Sequence, residues 1–429
     1  MDRKTDLVEI VPASPPLFDG SILLDTARRN LVDAFQSTKS ASPTVHSVTF
    51  QPFGHHNNDD PIAVERYLVL KKPWVFLVLC DGHGGPETSE YTVKYLPRHL
   101  AAMLERSIGK HFGGRLDHTN IHEAEPVITA MLKREIVRFD WSIGRGVTDV
   151  CPDPRTLTEE DELRLVAQHR KAFEVAMHGT TLSVAVVDLA NRVMWAAGVG
   201  DSTIALSTVD STGVRRAERL CEIHNFKNPR EYYRTIMAHH HSEKDLVSAN
   251  NSLLGCIGMS RAIGDFSFKI HREYLRHIFR HINPKYAPLY ERLRTPPYLI
   301  AEPSVRFVDL RPVWRNDPII LLFSDGIDTL VDGDYVFSPD KPSKLDPMDI
   351  VPALLSDAVD PRVKSALGHE IEPKWSRAGN NMAVDILGNL LGGANAERLE
   401  MVMDRERLRA DDPIFDIDDT TIVVARLTA

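Results

Sequence analysis

The sequence predicts one large domain of the α+β class, and two observations support this prediction. Apolar runs that are typical of strands occur within residues 47–80 and again in residues 421–427. Segments with the apolar spacing of helices lie between these two regions. This arrangement argues against two separate domains, so we expect the first and last strands to share one core.

The composition is that of a globular protein and narrows the classes of function. The chain has 429 residues, of which 43% are apolar and 26% are charged, and this is ample for a substantial core. A formal net charge of −9, without a cluster of lysine and arginine, does not suit a nucleic-acid-binding protein. No apolar run approaches the roughly 18 residues that a membrane-spanning helix requires. We therefore expect neither a nucleic-acid partner nor a membrane partner.

The cysteines and the first residues bear on the cellular compartment. The chain's cysteines are far apart and form no C-x-x-C pair; they are Cys80, Cys151, Cys221 and Cys256. This pattern predicts reduced thiols in an intracellular protein. Residues 1–9 contain three acids and resemble neither a secretory signal nor a mitochondrial presequence. The N-terminus thus indicates a cytoplasmic or nuclear protein, and a presequence missing from this sequence is left open.

The strands are expected at both ends of the domain and in one central hairpin. Residues 1–44 contain four prolines and are predicted to form an N-terminal arm, which precedes a domain at residues 45–428. A strand-rich segment follows the arm and ends at Cys80. Apolar runs at residues 181–188 and 193–199 flank a turn and therefore predict a β-hairpin.

The helices are predicted from apolar spacing and from their start signals. They are expected over Glu87–Leu104, Ala124–Ile143, Leu157–Met177, Pro347–Ala358, Asn380–Leu391 and Ala396–Leu408. Residues 270–294 are rich in arginine, histidine and tyrosine and predict one or two surface helices, which end at the pair Pro296-Pro297. We interpret the segments near residues 144–178 and 270–294 as helical insertions.

Four short motifs place an aspartate at the edge of a buried strand. They are Cys80-Asp81-Gly82-His83-Gly84-Gly85, Gly200-Asp201-Ser202, Ser324-Asp325-Gly326 and Asp418-Asp419-Thr420-Thr421. The continuous apolar runs before Asp81 and Asp325 are typical of strands covered on both faces. Converging carboxylates repel one another unless hard cations neutralise them. The motifs therefore predict a site for two divalent metal ions, and such sites are typical of phosphate-ester hydrolysis.

Each motif is weak by itself, because an aspartate before glycine is common in ordinary turns. The extra glycines after His83 strengthen the prediction, since they let the backbone approach a ligand closely. The Gly82 carbonyl can add a further oxygen ligand to those of Asp325 and Asp419. Oxygen-only ligation favours Mg²⁺ or Mn²⁺ over zinc, which prefers imidazole or thiolate.

Six segments in a fixed order carry a resemblance to a known family. They are the four aspartate motifs together with Gly179-Thr180-Thr181 and the segment Met259–Phe266. Over residues 45–428 the chain resembles the PPM-type, metal-dependent serine/threonine protein phosphatases of type 2C. A narrower similarity to the pyruvate dehydrogenase phosphatase branch lies in Thr295–Pro303 and in residues 380–399.

The resemblance implies a fold and a mechanism. The fold would be a β-sandwich of two antiparallel sheets flanked by helices in four αββα layers. Asp81 would bridge two Mg²⁺ or Mn²⁺ ions, and the ligands that complete the shells, partly through water, would be Gly82, Asp325, Asp419, Asp59 and Asp60. A water activated by both metals would attack phosphorus in line, without a phosphoenzyme. His83 would protonate the departing serine or threonine oxygen.

Two departures from the family pattern affect the substrate phosphate and a third metal ion. The family's phosphate-binding arginine corresponds to His55, which we take as the phosphate-binding candidate. After Ser324-Asp325-Gly326, the family's tryptophan and acid correspond to Asp328 and Thr329. A third metal site built from Asp201 and Asp328 therefore stays open at this stage.

The resemblance also implies partners and leaves three functions to compare. The leading hypothesis is an active phosphatase that is monomeric and acts on a phosphoprotein, with a regulatory partner left open. The alternatives are a phosphatase fold without turnover that serves as a binding module, and a two-metal hydrolase of small phosphoesters. The pyruvate dehydrogenase phosphatase branch makes a mitochondrial location the alternative to the cytoplasmic or nuclear one.

Overall fold

Two antiparallel β-sheets packed face to face form the centre of the computed structural model, which describes residues 20–41, 44–51, 58–243, 245–332, 345–356, 360–377, 380–404 and 417–427. Sheet one has the strand order β1-β2-β14-β13-β9-β10, and sheet two has the order β12-β8-β7-β4-β3. A small sheet joins β11, β6 and β5. The strands are β1 Gln36–Ala41, β2 Thr44–Phe50, β3 Ile62–Val69, β4 Lys72–Leu79, β5 Gly82–His83, β6 Gly179–Thr180, β7 Leu182–Asp188, β8 Val193–Val199, β9 Thr203–Val209, β10 Arg215–Arg219, β11 Ile263–Gly264, β12 Ser304–Asp309, β13 Ile319–Phe323 and β14 Thr420–Arg426.

Helices cover the outer faces of both sheets. They are α1 Gly20–Ala34, α2 Glu87–Phe112, α3 Ile121–Thr148, α4 Glu159–Met177, α5 Pro229–Ala238, α6 Glu273–His277, α7 Gly326–Asp332, α8 Pro347–Leu354, α9 Pro361–Leu367, α10 Met382–Leu391 and α11 Ala396–Met401. Short 3₁₀ helices lie at Pro154–Thr156, Phe266–Phe268, Phe279–His281 and Pro284–Glu291. None of the helices in the described part of the chain is long and apolar enough to span a bilayer.

Alternation along β4 explains why its sequence is apolar throughout. Val75, Leu77 and Leu79 point into the core between the two sheets, together with residues of β13 and β14. Phe76 and Val78 point to the opposite side, where they join the core beneath α2 and α3. A strand buried on both faces has no solvent side for polar residues. The predicted four-layer αββα sandwich is confirmed.

Most predicted elements are present, and their ends differ from the prediction where packing extends or shortens them. The hairpin of β7 and β8 is confirmed. Helix α4 begins at the predicted place, because Thr158 and Asp161 form a reciprocal capping box. Helix α2 continues to Phe112, beyond the predicted end at Leu104. Residues 270–294 form α6 and two 3₁₀ helices rather than long surface helices.

Residues 20–41, which the sequence assigns to the N-terminal arm, form elements of the sandwich. Strand β1 pairs with β2 along its whole length, and β2 pairs with β14, so the first and last strands share a core as expected. Ala27 and Leu31 of α1 are buried in the core outside sheet one. Leu24, Val32 and Ala34 are partly buried against the same core. The four prolines of residues 1–44 led to the prediction of an arm instead of these elements.

Candidate metal centre and catalytic site

The candidate acids of sheet two lie where β3 and β4 meet at one end of the sandwich. The last residue of β4, Leu79, pairs with the first residue of β3, Ile62. Asp81 follows β4 and Asp60 precedes β3, so both leave the same edge of the sheet. Adjacent antiparallel strands place such positions side by side.

The candidate acids of sheet one lie at the same end. The last residue of β13, Phe323, pairs with Thr203 at the start of β9 and with Ile422 near the start of β14. Asp325 follows β13, whereas the acids that precede β9 and β14 are Asp201 and Asp419. The structure therefore brings together acids that are up to 360 residues apart in the chain.

These acids lie close enough to disturb one another's ionisation. The pKa of Asp81 is raised well above its usual range, first by burial and then by the charges of Asp60 and Asp325. Burial and the Asp419 charge likewise raise the pKa of Asp60, although the nearby Ser324 hydroxyl opposes this rise. Burial raises the pKa of Asp325 also, while the neighbouring Asp81 side chain opposes this rise. The site thus concentrates negative charge that the protein alone does not neutralise.

Some carboxylate oxygens at this site are buried without a hydrogen bond. Both carboxylate oxygens of Asp60 and the Oδ1 atom of Asp201 are buried and accept no hydrogen bond. The Ser324 side chain lies near Asp60, but its geometry does not make a hydrogen bond. Buried acceptors without partners are costly and rare, and a hard cation compensates for them. Among the described residues no three histidine, cysteine or acidic side chains form a ready-made metal cage. The donor set and its uncompensated charge nevertheless fit a divalent metal site.

A chain of hydrogen bonds connects Asp419 to the Gly82 turn. The Asp59 amide donates to Oδ2 of Asp419 at 2.7 Å, and the Gln51 side chain donates to Oδ1. The Asp59 carbonyl in turn accepts a hydrogen bond from the Gly82 amide at 3.0 Å. A Cβ atom on Gly82 would lie only 2.5 Å from that carbonyl, so only glycine allows this approach.

Asp201 and Asp328 form the part of the acid group that lies beside Asp325. Burial, followed by the Asp325 charge, raises the pKa of Asp328 to about 7. Burial and the charges of Asp325 and Asp328 also raise the pKa of Asp201 well above its usual range. The Asp328 carboxylate therefore lies near Asp201.

His83 lies beside the acids and pairs with a carboxylate whose role the sequence did not reveal. Its Nε2 atom is 2.7 Å from Oδ2 of Asp265, and its Nδ1 atom is buried without a partner. Burial alone would lower the pKa of His83, but the charge and hydrogen bond of Asp265 outweigh it and raise the pKa. Asp265 lies in Met259–Phe266, one of the six segments that carry the family resemblance. Its place in that segment is the only feature of the sequence that connects Asp265 with the site.

The sequence over residues 47–365 matches the family described as protein phosphatase 2C. The chain belongs to this family. The matched region runs from within β2 to within α9, so β1 and β14 are the only strands of the two large sheets described here that lie outside it.

The phosphatase 2C family membership agrees with the similarity to individual proteins. Over 335 residues the chain is 25% identical to mitochondrial pyruvate dehydrogenase (acetyl-transferring) phosphatase 1 of Saccharomyces cerevisiae, covering 73% of this chain and 54% of that protein. Over 163 residues it is 34% identical to the human protein of the same name, covering 36% of this chain and 29% of that protein. The chain thus matches about half or less of the length of these curated relatives.

A solved serine-threonine phosphatase 2C from Toxoplasma gondii shares the fold. Its TM-score is 0.50 at 15% identity, and the match covers 91% of this chain and 98% of that chain. At this identity the likeness extends to the fold alone.

The other positions considered are His55, Thr329 and the histidines 239–241. His55 lies outside the described residues. Thr329 donates its hydroxyl hydrogen bond to the Gly326 carbonyl at 2.8 Å and so has a local role within α7. The consecutive histidines 239–241 follow the end of α5, and His239 stacks on Tyr298 with 4.2 Å between the ring centres.

A buried ion pair supports the segment that carries Asp265. Asp140 of α3 and Lys269 are each 3% exposed, and the Lys269 ammonium donates to Oδ1 of Asp140 at 2.8 Å. The same ammonium donates to the Ala262 carbonyl at 2.8 Å, and the Gly264 amide donates to Asp140 at 2.8 Å. Asp140 and Lys269 thereby fix the backbone at Gly264 and Ala262, directly before Asp265.

We expect Lys269→Met to lower the free energy of unfolding by about 3–5 kcal/mol, because it leaves the buried Asp140 carboxylate without its cation. The matched control is Arg362→Met, which removes an exposed ion pair with Asp360 and should change the free energy of unfolding far less, because water screens the pair. Urea unfolding of both variants measures the difference. Equal, small losses would show that the buried pair does not stabilise the fold.

Proposed function

We propose that the chain is a metal-dependent protein serine/threonine phosphatase, which hydrolyses phosphoserine and phosphothreonine. The observation that carries the proposal is the group of mutually destabilised carboxylates around Asp81, two of which have buried oxygens without hydrogen bonds. Membership of the phosphatase 2C family supports the same conclusion.

The site would hold two Mg²⁺ or Mn²⁺ ions. Their ligands would be Asp81, the Gly82 carbonyl, Asp325 and Asp419, with Asp59 and Asp60 acting through water. When bound, such ions activate water for in-line attack and neutralise charge on the phosphoryl oxygens. Asp201 and Asp328 are the proposed ligands of a third ion, because they lie together beside Asp325.

His83 is the proposed general acid. An alkoxide is a poor leaving group, so cleavage of a phosphoserine ester requires a proton at the departing oxygen. The Nε2 atom of His83 is occupied by Asp265, which leaves Nδ1 for the substrate. His55 remains the proposed contact for the substrate phosphate, on the basis of its sequence position alone.

The substrate class is a phosphoserine protein, and a phosphorylated 2-oxoacid dehydrogenase is the specific candidate. The names of the yeast and human relatives support this candidate and, with it, a mitochondrial location. The shared segment Thr295–Pro303 has a structural role, since the Tyr298 hydroxyl accepts the Arg294 amide at 2.7 Å and donates to Glu243. Similarity in this segment is therefore consistent with shared ancestry of the scaffold as well as with shared recognition.

Release of inorganic phosphate from a phosphoserine peptide tests the proposal. We expect release in the presence of Mn²⁺ and none after chelation, with further release from phosphoproteins of a mitochondrial extract if the dehydrogenase candidate is right. Release that persists in chelator would contradict the metal-dependent function. Tight peptide binding without any release would instead support the binding-module alternative.

A further inference from the structure

We propose that Asp265 is a positioning residue for His83, which it holds with one ring nitrogen occupied and the other directed to the substrate. This inference rests on the proposed phosphatase function and assigns a role within it. Asp265 does not itself contact the phosphate. It acts through the imidazole, as an aspartate does when it orients a catalytic histidine in other hydrolases.

The first support is the direct contact between the two side chains. The Nε2 atom of His83 lies 2.7 Å from Oδ2 of Asp265, and the Asp265 side chain is only 3% exposed. At this distance the hydrogen bond is strong, and little water competes for the carboxylate. The ring therefore has one fixed orientation.

The small sheet of β5, β6 and β11 brings His83 and Asp265 into contact, and this contact requires glycine at position 179. His83 in β5 and Gly264 in β11 both pair with Gly179 of β6. A Cβ atom on Gly179 would lie 2.1 Å from Oδ2 of Asp265 and 2.2 Å from Nε2 of His83. The side chains thus meet directly over a glycine, which any larger residue would prevent.

The backbone of Asp265 is held in an unusual conformation. Its φ angle is +53°, in the left-handed region that residues other than glycine rarely adopt. Its amide donates to the His178 carbonyl at 2.8 Å, and Asp140 binds the preceding amide, that of Gly264. Strain of this kind persists only where the surroundings fix it and is concentrated at functional sites.

The arrangement determines which nitrogen of His83 serves the reaction. The Nε2–H bond donates to Asp265, whereas Nδ1 is buried and has no protein partner. In this role a protonated His83 would pass its Nδ1 proton to the serine oxygen as the bond between phosphorus and that oxygen breaks. The imidazole is left neutral and still donates from Nε2 to Asp265.

The test compares Asp265→Asn with the wild type on two substrates. We expect turnover of a phosphoserine peptide to fall about 10–10²-fold, because the carboxylate that orients the general acid is lost. Turnover of p-nitrophenyl phosphate should fall clearly less, since its leaving group needs no proton. In the double variant with His83→Gln, Asp265→Asn should add nothing to the loss caused by His83→Gln.

The matched control is Glu162→Gln, which alters another buried carboxylate that binds histidine, in this case His277 and His281 together with Arg280. The Glu162 side chain, in α4, is 4% exposed and lies 2.6 Å from the Nδ1 atom of His277. This variant should leave the ratio of the two turnover rates unchanged. Equal losses on both substrates in Asp265→Asn would assign Asp265 a purely structural role and overturn the inference.

A measurement on the metal-free wild-type protein tests the inference even if Asp265→Asn does not fold. Nitrogen-15 NMR, with the His83 signals assigned by their absence in His83→Gln, should show a proton on Nε2 in a hydrogen bond. An unprotonated Nε2 would overturn the inference. A wild type without metal-dependent turnover would instead refute the proposed function, and the NMR result distinguishes these two failures.

Discussion

Replacement of Asp81 by asparagine should reduce metal-dependent turnover by several orders of magnitude. The charges of Asp60 and Asp325 both act on the Asp81 carboxylate, so Asp81 lies near acids of both sheets. Asparagine keeps the shape but loses one charge and one strong oxygen ligand, and loss of a bridging ligand affects both ions. Phosphate release from a phosphoserine peptide, measured over a range of Mn²⁺ concentrations, gives the effect.

The control for this variant is Asp188→Asn. Asp188 is also a buried aspartate of sheet two, but it pairs with Trp74 at the opposite end of β4. Its replacement should leave the Mn²⁺ dependence of turnover unchanged. If Asp81→Asn retained near-normal activity, the assignment of the metal ions to these carboxylates would be wrong.

Replacement of His83 by glutamine should slow hydrolysis of phosphoserine peptides by about 10²–10⁴-fold, the usual contribution of a general acid. Glutamine retains a polar side chain but cannot deliver a proton to the departing oxygen. An aryl phosphate should be affected clearly less, because its phenolate leaves without a proton. Steady-state kinetics on both substrates measures the two losses.

His178→Gln is a suitable control for the histidine variant. The Nδ1 atom of His178 lies 2.6 Å from Glu87, and the residue adjoins the Gly84-Gly85 turn without entering the acid group. We expect it to change both substrates equally. A similar uniform loss in His83→Gln would remove the general-acid role and leave His83 a structural residue.

Local signals predicted an α+β domain and most of the acid group, and the family resemblance implied the sandwich. The strand β4 is apolar throughout since both of its faces are buried, and Asp81 follows it directly. The order of the motifs then indicated that Asp325 and Asp419 belong to the same site. The structure brings these acids to one end of the sandwich.

Interactions between distant segments could not be predicted in the same way. Asp265 and His83 are 182 residues apart, and nothing near either residue indicates the other. The same holds for Asp140 and Lys269, which are 129 residues apart. The buried face of α1 was missed because its contacts are made with the distant C-terminal helices rather than with neighbouring residues.

Anomalous diffraction from crystals soaked with Mn²⁺ would test the central claim most directly, since it locates the ions independently of activity. We expect two anomalous peaks about 3.5–4 Å apart, both beside the Asp81 carboxylate, as in other two-metal hydrolases. The Asp81→Asn crystals should lose one or both peaks. Fully soaked wild-type crystals with no peak beside Asp81, or with peaks only elsewhere on the protein, would contradict the two-metal site.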